Sequence, residues 1–160
     1  MWPVIGVQLD TSWLDMQPIR ILYEFDGPRA FTCQDNGDNL YLSYQVDEDE
    51  RALRFLVVPF SKELERRLTT GMIDVWNALF QEEAWLFDLD NQWQPSRAWK
   101  VNFEDLPQNA IPKPGVMLWS HLQPKFGVIL NLPRSSTTQT RSVSGPSGIR
   151  SQMWMPALVG

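Results

Sequence analysis

The fold is decided by residues 19–59, which read IRILYEFDGPRAFTCQDNGDNLYLSYQVDEDERALRFLVVP. Apolar residues alternate with polar ones in four short runs, and turn residues separate these runs at regular intervals. Asp26-Gly27-Pro28 requires a turn, because proline has a fixed φ and no backbone donor. Asn36-Gly37 is typical of a type I′ hairpin. The segment therefore predicts four consecutive antiparallel strands.

After Pro59 the apolar period lengthens to about 3.6 residues, as in helices. Ser61 is placed to cap a helix over residues 62–69, and Gly71 is placed to end it. The remaining predicted elements are a second helix over 72–80 and strands over 84–89, 97–103 and 116–119. These elements predict an α+β fold, with an antiparallel, meander-rich sheet and two short helices packed on one face.

The size and cysteine content indicate one soluble domain. A chain of 160 residues is long enough for one sizeable core. Cys33 is the only cysteine, so no intrachain disulfide can form and a reducing compartment is favoured. The start lacks a signal-peptide pattern, and no apolar stretch reaches the length of a membrane span. We therefore expect a cytoplasmic protein with a domain over residues 1–130 and a tail over 131–160.

Charge is unevenly distributed along the chain. Residues 1–105 hold all 19 acidic residues and nine basic ones, whereas residues 106–160 hold five basic residues and no acidic one. Nucleic-acid binding needs a basic face, so an acidic body argues against it as the main function. The uneven charge distribution favours a protein partner instead. It leaves the oligomeric state open.

The tail over residues 131–160 combines a polar, basic stretch with an apolar tip. Its composition has too few apolar residues for a core of its own. The apolar tip indicates docking, either on the chain's own domain or on another chain. The residues expected to contact a partner are Trp119, Arg134, Arg141, Arg150, Met153, Trp154 and Met155.

Several short motifs resemble those of a known family when they are taken in order. They are the segments 23–31, 39–42, 56–61, 70–74 and 104–107, with the pattern Y-x-x-x-G-P-x-x-F … YL … vPfS … G-x-I-D … LP. In this order the chain resembles a family of small uncharacterised bacterial proteins that are common in cyanobacteria. The resemblance covers about residues 18–119 and implies a single compact unit. It brings no established function.

The sequence offers little for nucleophilic or cofactor chemistry. His121 is the only histidine, and Cys33 lies on the apolar face of a predicted strand, where we expect it to be buried and inert. One cysteine and one histidine cannot build a structural zinc site within one chain. Glycine-rich phosphate-binding loops and the G-x-S-x-G elbow are missing from the sequence. We therefore predict no cofactor.

Carboxylates support the one alternative in which the protein is an enzyme. Asp88 and Asp90 sit two apart at a predicted strand end, and Glu104-Asp105 end the next strand. Hard cations accept such clusters if the oxygen atoms converge. A carboxylate-metal hydrolase or nuclease therefore stays open, although no lysine has an acidic residue two positions before it.

The residues favour a non-catalytic protein-interaction domain. A small subunit or inhibitor in a bacterial multi-protein system, such as a toxin-neutralising or phage-defence assembly, is the concrete hypothesis. A small-ligand binding module with an aromatic-lined pocket is the third possibility, since the chain has eight tryptophans.

Overall fold

The computed structural model describes residues 1–10 and 16–118. Its elements in chain order are β1 (Val7–Gln8), β2 (Gln17–Glu24), β3 (Pro28–Gln34), β4 (Leu40–Glu48), β5 (Leu53–Pro59), α1 (Lys62–Thr69), α2 (Val75–Leu79), β6 (Ala84–Leu89) and β7 (Pro95–Val101). A 3₁₀ helix, Phe103–Asp105, follows β7.

All seven strands belong to one antiparallel sheet in the order β1-β7-β6-β5-β4-β3-β2. Each strand from β2 to β6 pairs with the next one along the chain, and β1 pairs with β7. The predicted combination of an antiparallel sheet with short helices is confirmed at this level, and the chain is mainly β. Strand β1 was not predicted.

The core consists of two apolar clusters whose strand residues alternate along the sheet. Leu56 of β5 and Leu86 of β6 face each other in register and belong to the first cluster. Their neighbours Phe55 and Phe87 also face each other, and they belong to the second cluster, with Cys33. Successive strand residues point to opposite faces, so the sheet carries apolar contacts on both sides.

Helix α1 begins as predicted, whereas α2 is shorter than predicted. The Ser61 hydroxyl accepts a hydrogen bond from the backbone N–H of Leu64 at 3.1 Å and caps α1. In α2 the carboxylate of Asp74 accepts the N–H of Asn77 at 2.7 Å, so the helix begins at Val75. The predicted start at residue 72 is wrong because an N-cap side chain requires an extended backbone at Asp74.

The β3–β4 hairpin forms, but its turn is not type I′. The carboxylate of Asp35 accepts the N–H groups of Gly37 at 2.8 Å and Asn39 at 2.9 Å. The positive φ falls on Asp38, at 65°, and not on Gly37. An aspartate side chain bonded to the backbone ahead of it therefore set the turn, and the Asn-Gly pair did not.

The predicted strand over residues 116–119 is wrong for the part that the structure describes. Val116 accepts a hydrogen bond from the N–H of Val75 at 2.9 Å, and Gly115 donates to the Asp74 carboxylate at 2.6 Å. Backbone groups that bond to a helix N-terminus are not available to a sheet. Within residues 1–10 and 16–118, no helix combines the length and the apolar character that a membrane crossing requires.

Candidate functional site

The predicted partner contacts lie beyond Leu118, the last residue that the structure describes. They are Trp119, Arg134, Arg141, Arg150, Met153, Trp154 and Met155, and His121 lies outside the described residues with them. The predicted domain boundary at residue 130 lies there as well. These hypotheses remain predictions.

The structure does not bring the four candidate metal ligands together. Asp88 is fully buried, and its carboxylate forms ion pairs with Arg54 and Arg97. The Asp90 carboxylate accepts two backbone N–H groups of its own turn, from Gln92 and Gln94. Glu104 and Asp105 are exposed on the 3₁₀ helix. Within the described ranges, no three acidic, histidine or cysteine side chains are grouped as a metal site.

Cys33 is buried, as predicted. Its Sγ lies 3.4 Å from the Ser43 hydroxyl and 3.7 Å from the sulfur of Met16. Burial raises the pKa of the Cys33 thiol from 9.0 to about 12, because the thiolate would lose its hydration. A thiol in this environment is a poor nucleophile at neutral pH.

This raised pKa predicts a pH dependence of stability. Between about pH 9 and pH 12 the folded chain keeps a thiol proton that the unfolded chain releases, so stability falls as pH rises. The slope reaches about 1.4 kcal/mol per pH unit. Urea unfolding at pH 8 and pH 10 should show this loss for the wild type and a smaller loss for Cys33→Ala. The titrating tyrosines are common to both proteins, and equal losses would contradict the prediction.

A row of three charged residues crosses the sheet next to its β1 edge. Arg54 of β5 lies directly opposite Asp88 of β6, and Asp88 lies directly opposite Arg97 of β7. Arg54 donates to both carboxylate oxygens of Asp88, at 2.6 and 2.8 Å. Arg97 adds an ion pair at 2.7 Å. We call Arg54, Asp88 and Arg97 the charged row.

Two tryptophan rings pack against the guanidinium groups of the charged row. The Arg54 guanidinium lies 4.9 Å from the ring centre of Trp2 and 5.1 Å from that of Trp99. Arg97 lies 5.4 Å from the same Trp99 ring. A third hydrogen bond of Arg54 reaches the Trp2 carbonyl at 2.6 Å. Cation–π contacts and a buried bidentate pair fix these side chains in one geometry.

An open cleft of about 430 Å³ lies against the charged row. Its lining includes Arg51, Arg54, Arg97 and the two tryptophans, and among the described residues Asp49 is the one acidic side chain in it. The Asp49 carboxylate accepts the N–H groups of Arg51 and Ala52, and the first of these bonds lowers its pKa most. The cleft is therefore a basic surface on an acidic body.

A second unusual feature is a cluster of three rings from α2, the residue that ends it, and the 3₁₀ helix. Trp76 and Phe80 stack with their centres 4.8 Å apart, and Phe103 meets Phe80 edge-on at 4.7 Å. Phe80 is 47% exposed, while Trp76 and Phe103 are half-buried. We call these three residues the aromatic surface. Exposed acidic residues follow it directly in the sequence at 82, 83, 104 and 105.

Sequence reasoning missed both features for identifiable reasons. Arg54 and Asp88 each interrupt an apolar strand, and this was the available signal for a buried pair. We interpreted Asp88 only as a strand-end ligand. Trp2 had no visible partner, because its contact depends on a residue far along the chain. The first residues of the chain are held against the sheet, because Val7 and Gln8 pair with β7 and Trp2 packs against the first core cluster.

Residues 12–139 match a family of unknown function, DUF6575. The chain belongs to that family. The DUF6575 match contains both the charged row and the aromatic surface, and it extends beyond the range of about 18–119 expected from the motifs. No curated protein and no solved structure matches this chain.

Proposed function

We propose that this DUF6575 chain is a non-catalytic protein-interaction domain whose aromatic surface contacts the partner. The observation that carries the proposal is the stacked Trp76–Phe80 pair, whose outer ring is about half exposed. Stacked rings on a surface supply large, rigid contact area, and Trp is enriched among residues that dominate binding energy. Exposed apolar rings are unfavourable in water, and a bound partner would bury them.

The partner that fits is a basic protein segment with an apolar anchor. Glu82, Glu104 and Asp105 are exposed beside the rings in sequence, so a lysine or arginine would meet both a carboxylate and a ring face. A role as a small subunit or inhibitor of a multi-protein assembly, toxin-neutralising or phage-defence, is in keeping with an acidic domain that captures basic surfaces.

The tail is the second proposed contact. Residues 131–160 carry arginines and an apolar tip but no acidic residue, which is the opposite charge character to the body. A partner with both basic and acidic surfaces would engage the two elements together. The tail's own chemistry also fits the aromatic surface, so docking within one chain competes with docking on the partner.

We also infer a finer description of the fold, namely a meander with both helices packed on one face. Its support is the pairing of consecutive strands from β2 to β7. A further support is that Leu68 of α1 and Leu79 of α2 share the first core cluster with Leu56 and Leu86. On this arrangement the helices present the aromatic surface outward from one side of the sheet.

Affinity capture with single-residue variants of the full chain tests the interaction. Proteins retained by the wild type from an extract of its host are compared with those retained by Phe80→Ser and by the control Phe25→Ser. Phe25 is also highly exposed, at 67%, but lies at the β2–β3 turn. We expect a stoichiometric basic protein with the wild type and the control, and its loss with Phe80→Ser.

Two further outcomes assign the contact or reject it. Loss of the same partner when Arg134, Arg141 and Arg150 are all replaced by glutamine would place the tail in the interface. Equal retention by all variants would exclude both surfaces, and the absence of any stoichiometric partner would contradict the interaction function itself. Circular dichroism of each variant checks that the fold is intact.

A further inference from the structure

We propose that the cleft beside the charged row binds a small molecule through a carboxylate or phosphate group. The proposal is independent of the aromatic surface and develops the hypothesis of a small-ligand module. The buried carboxylate of Asp88 carries one negative charge and contacts two guanidinium groups, so it neutralises one of them.

The unneutralised charge lies at Arg97. Arg54 makes two hydrogen bonds to Asp88 and is only 3% exposed, so it is the carboxylate's main partner. Arg97 forms an ion pair with the same carboxylate at 2.7 Å, but its side chain is 51% exposed. A guanidinium group has five N–H donors, so Arg97 retains donors that an oxyanion can accept.

The lining of the cleft also carries more positive than negative charge. Among the described residues, its charged side chains together with the adjacent Asp88 are three arginines and two aspartates. Residues 1–105 have the opposite balance, with a net charge of −10. The excess of arginine attracts anions to the cleft, whereas the surrounding acidic surface repels them. Arginine also matches the paired oxygens of carboxylates and phosphates.

The side chains are held in position before any ligand arrives. The Trp99 ring contacts the guanidinium groups of both Arg54 and Arg97. The Trp2 carbonyl accepts a third hydrogen bond from Arg54. A site whose side chains are already ordered loses less conformational entropy when it binds. The volume of about 430 Å³ lies in the range of small-molecule sites.

The test is titration of the full chain with inorganic phosphate and, separately, with acetate, at constant ionic strength set by sodium chloride. Two-dimensional NMR of indole N–H and arginine Nε–H groups gives the site and the affinity. We expect saturable shifts at Trp2, Trp99 and Arg97. Saturation by phosphate alone assigns a phosphate ligand, and saturation by acetate alone assigns a carboxylate.

Arg97→Gln should weaken binding at least about tenfold, since it removes hydrogen bonds to a charged group. The matched control is Arg66→Gln. Arg66 is 55% exposed and pairs with Glu63 at 2.8 Å, so it resembles Arg97 in exposure and pairing but lies on α1. This control should bind as the wild type does.

A second variant, Arg51→Gln, keeps the proposal testable if Arg97→Gln does not fold, because Arg51 is exposed and outside the charged row. It should also weaken binding. Phe80→Ser should leave the affinity unchanged, which separates this proposal from the interaction function. Equal affinity of wild type, Arg97→Gln and Arg51→Gln, or no saturable shift with either anion, would overturn it.

Discussion

Replacing Asp88 by asparagine is expected to lower the free energy of unfolding by about 3–5 kcal/mol. The substitution keeps the side-chain shape but removes the one carboxylate in the charged row. Arg54 would then be a buried cation, only 3% exposed, without its counter-charge. Desolvating an unpaired charge costs far more than a surface ion pair contributes. Urea unfolding at neutral pH measures the change.

The control is Glu83→Gln, which breaks the ion pair between Glu83 and Lys100. Both of those side chains are about half exposed and 3.8 Å apart, so the expected loss is below about 1 kcal/mol. The double variant Arg54→Met/Asp88→Leu removes both buried charges and should recover much of the stability that Asp88→Asn loses. A loss for Asp88→Asn no larger than that of the control would show that the charged row is not a buried ion pair.

Replacing Gly6 by alanine is expected to lower the free energy of unfolding by about 1–3 kcal/mol, mainly by releasing β1. A β carbon at this position would lie 2.6 Å from the carbonyl oxygen of Lys100 and 2.8 Å from a methyl group of Val101. The first of these is backbone, so it cannot turn aside. The expected loss of stability is steric, because the backbone at Gly6 lies too close to β7 to leave room for a side chain.

Hydrogen exchange localises the effect of Gly6→Ala. The amide of Leu9, which donates to Ala98 at 2.8 Å, should lose protection, while amides of β4 and β5 should exchange as in the wild type. The control is Gly37→Ala at the tip of the β3–β4 hairpin, where the nearest atom belongs to a side chain, the Asn39 amide, at 3.1 Å. Equal losses of stability for the two variants would contradict a specific close approach at Gly6.

The parts of the fold that the sequence predicted well are those whose cause is local. Strand β6 begins and ends as predicted, and α1 has its predicted cap at Ser61. Alternation and capping depend on residues that are neighbours in the chain. Strand β1 has only two residues and pairs with β7, so no local period could indicate it. The same long-range pairing is what brings Trp2 to Arg54.

The candidate sites were less accessible to sequence reasoning than the fold. A carboxylate in an apolar strand predicts a ligand and an ion pair equally well, and only the register of β5, β6 and β7 places Arg54 and Arg97 on either side of Asp88. The type of each residue was visible in the sequence, but its neighbour across the sheet was not. The aromatic surface likewise depends on where Phe103 lies relative to α2.

The position of β1 in the sheet has a consequence for how the protein is made. Strands β3 to β7 can each pair with the strand synthesised just before, but Val7 can pair only after Lys100 has been made, ninety-three residues later. At roughly 5–20 residues per second, that delay is about 5–20 s on the ribosome. The apolar side chain of Val7 therefore leaves the exit tunnel long before the strand that pairs with it exists.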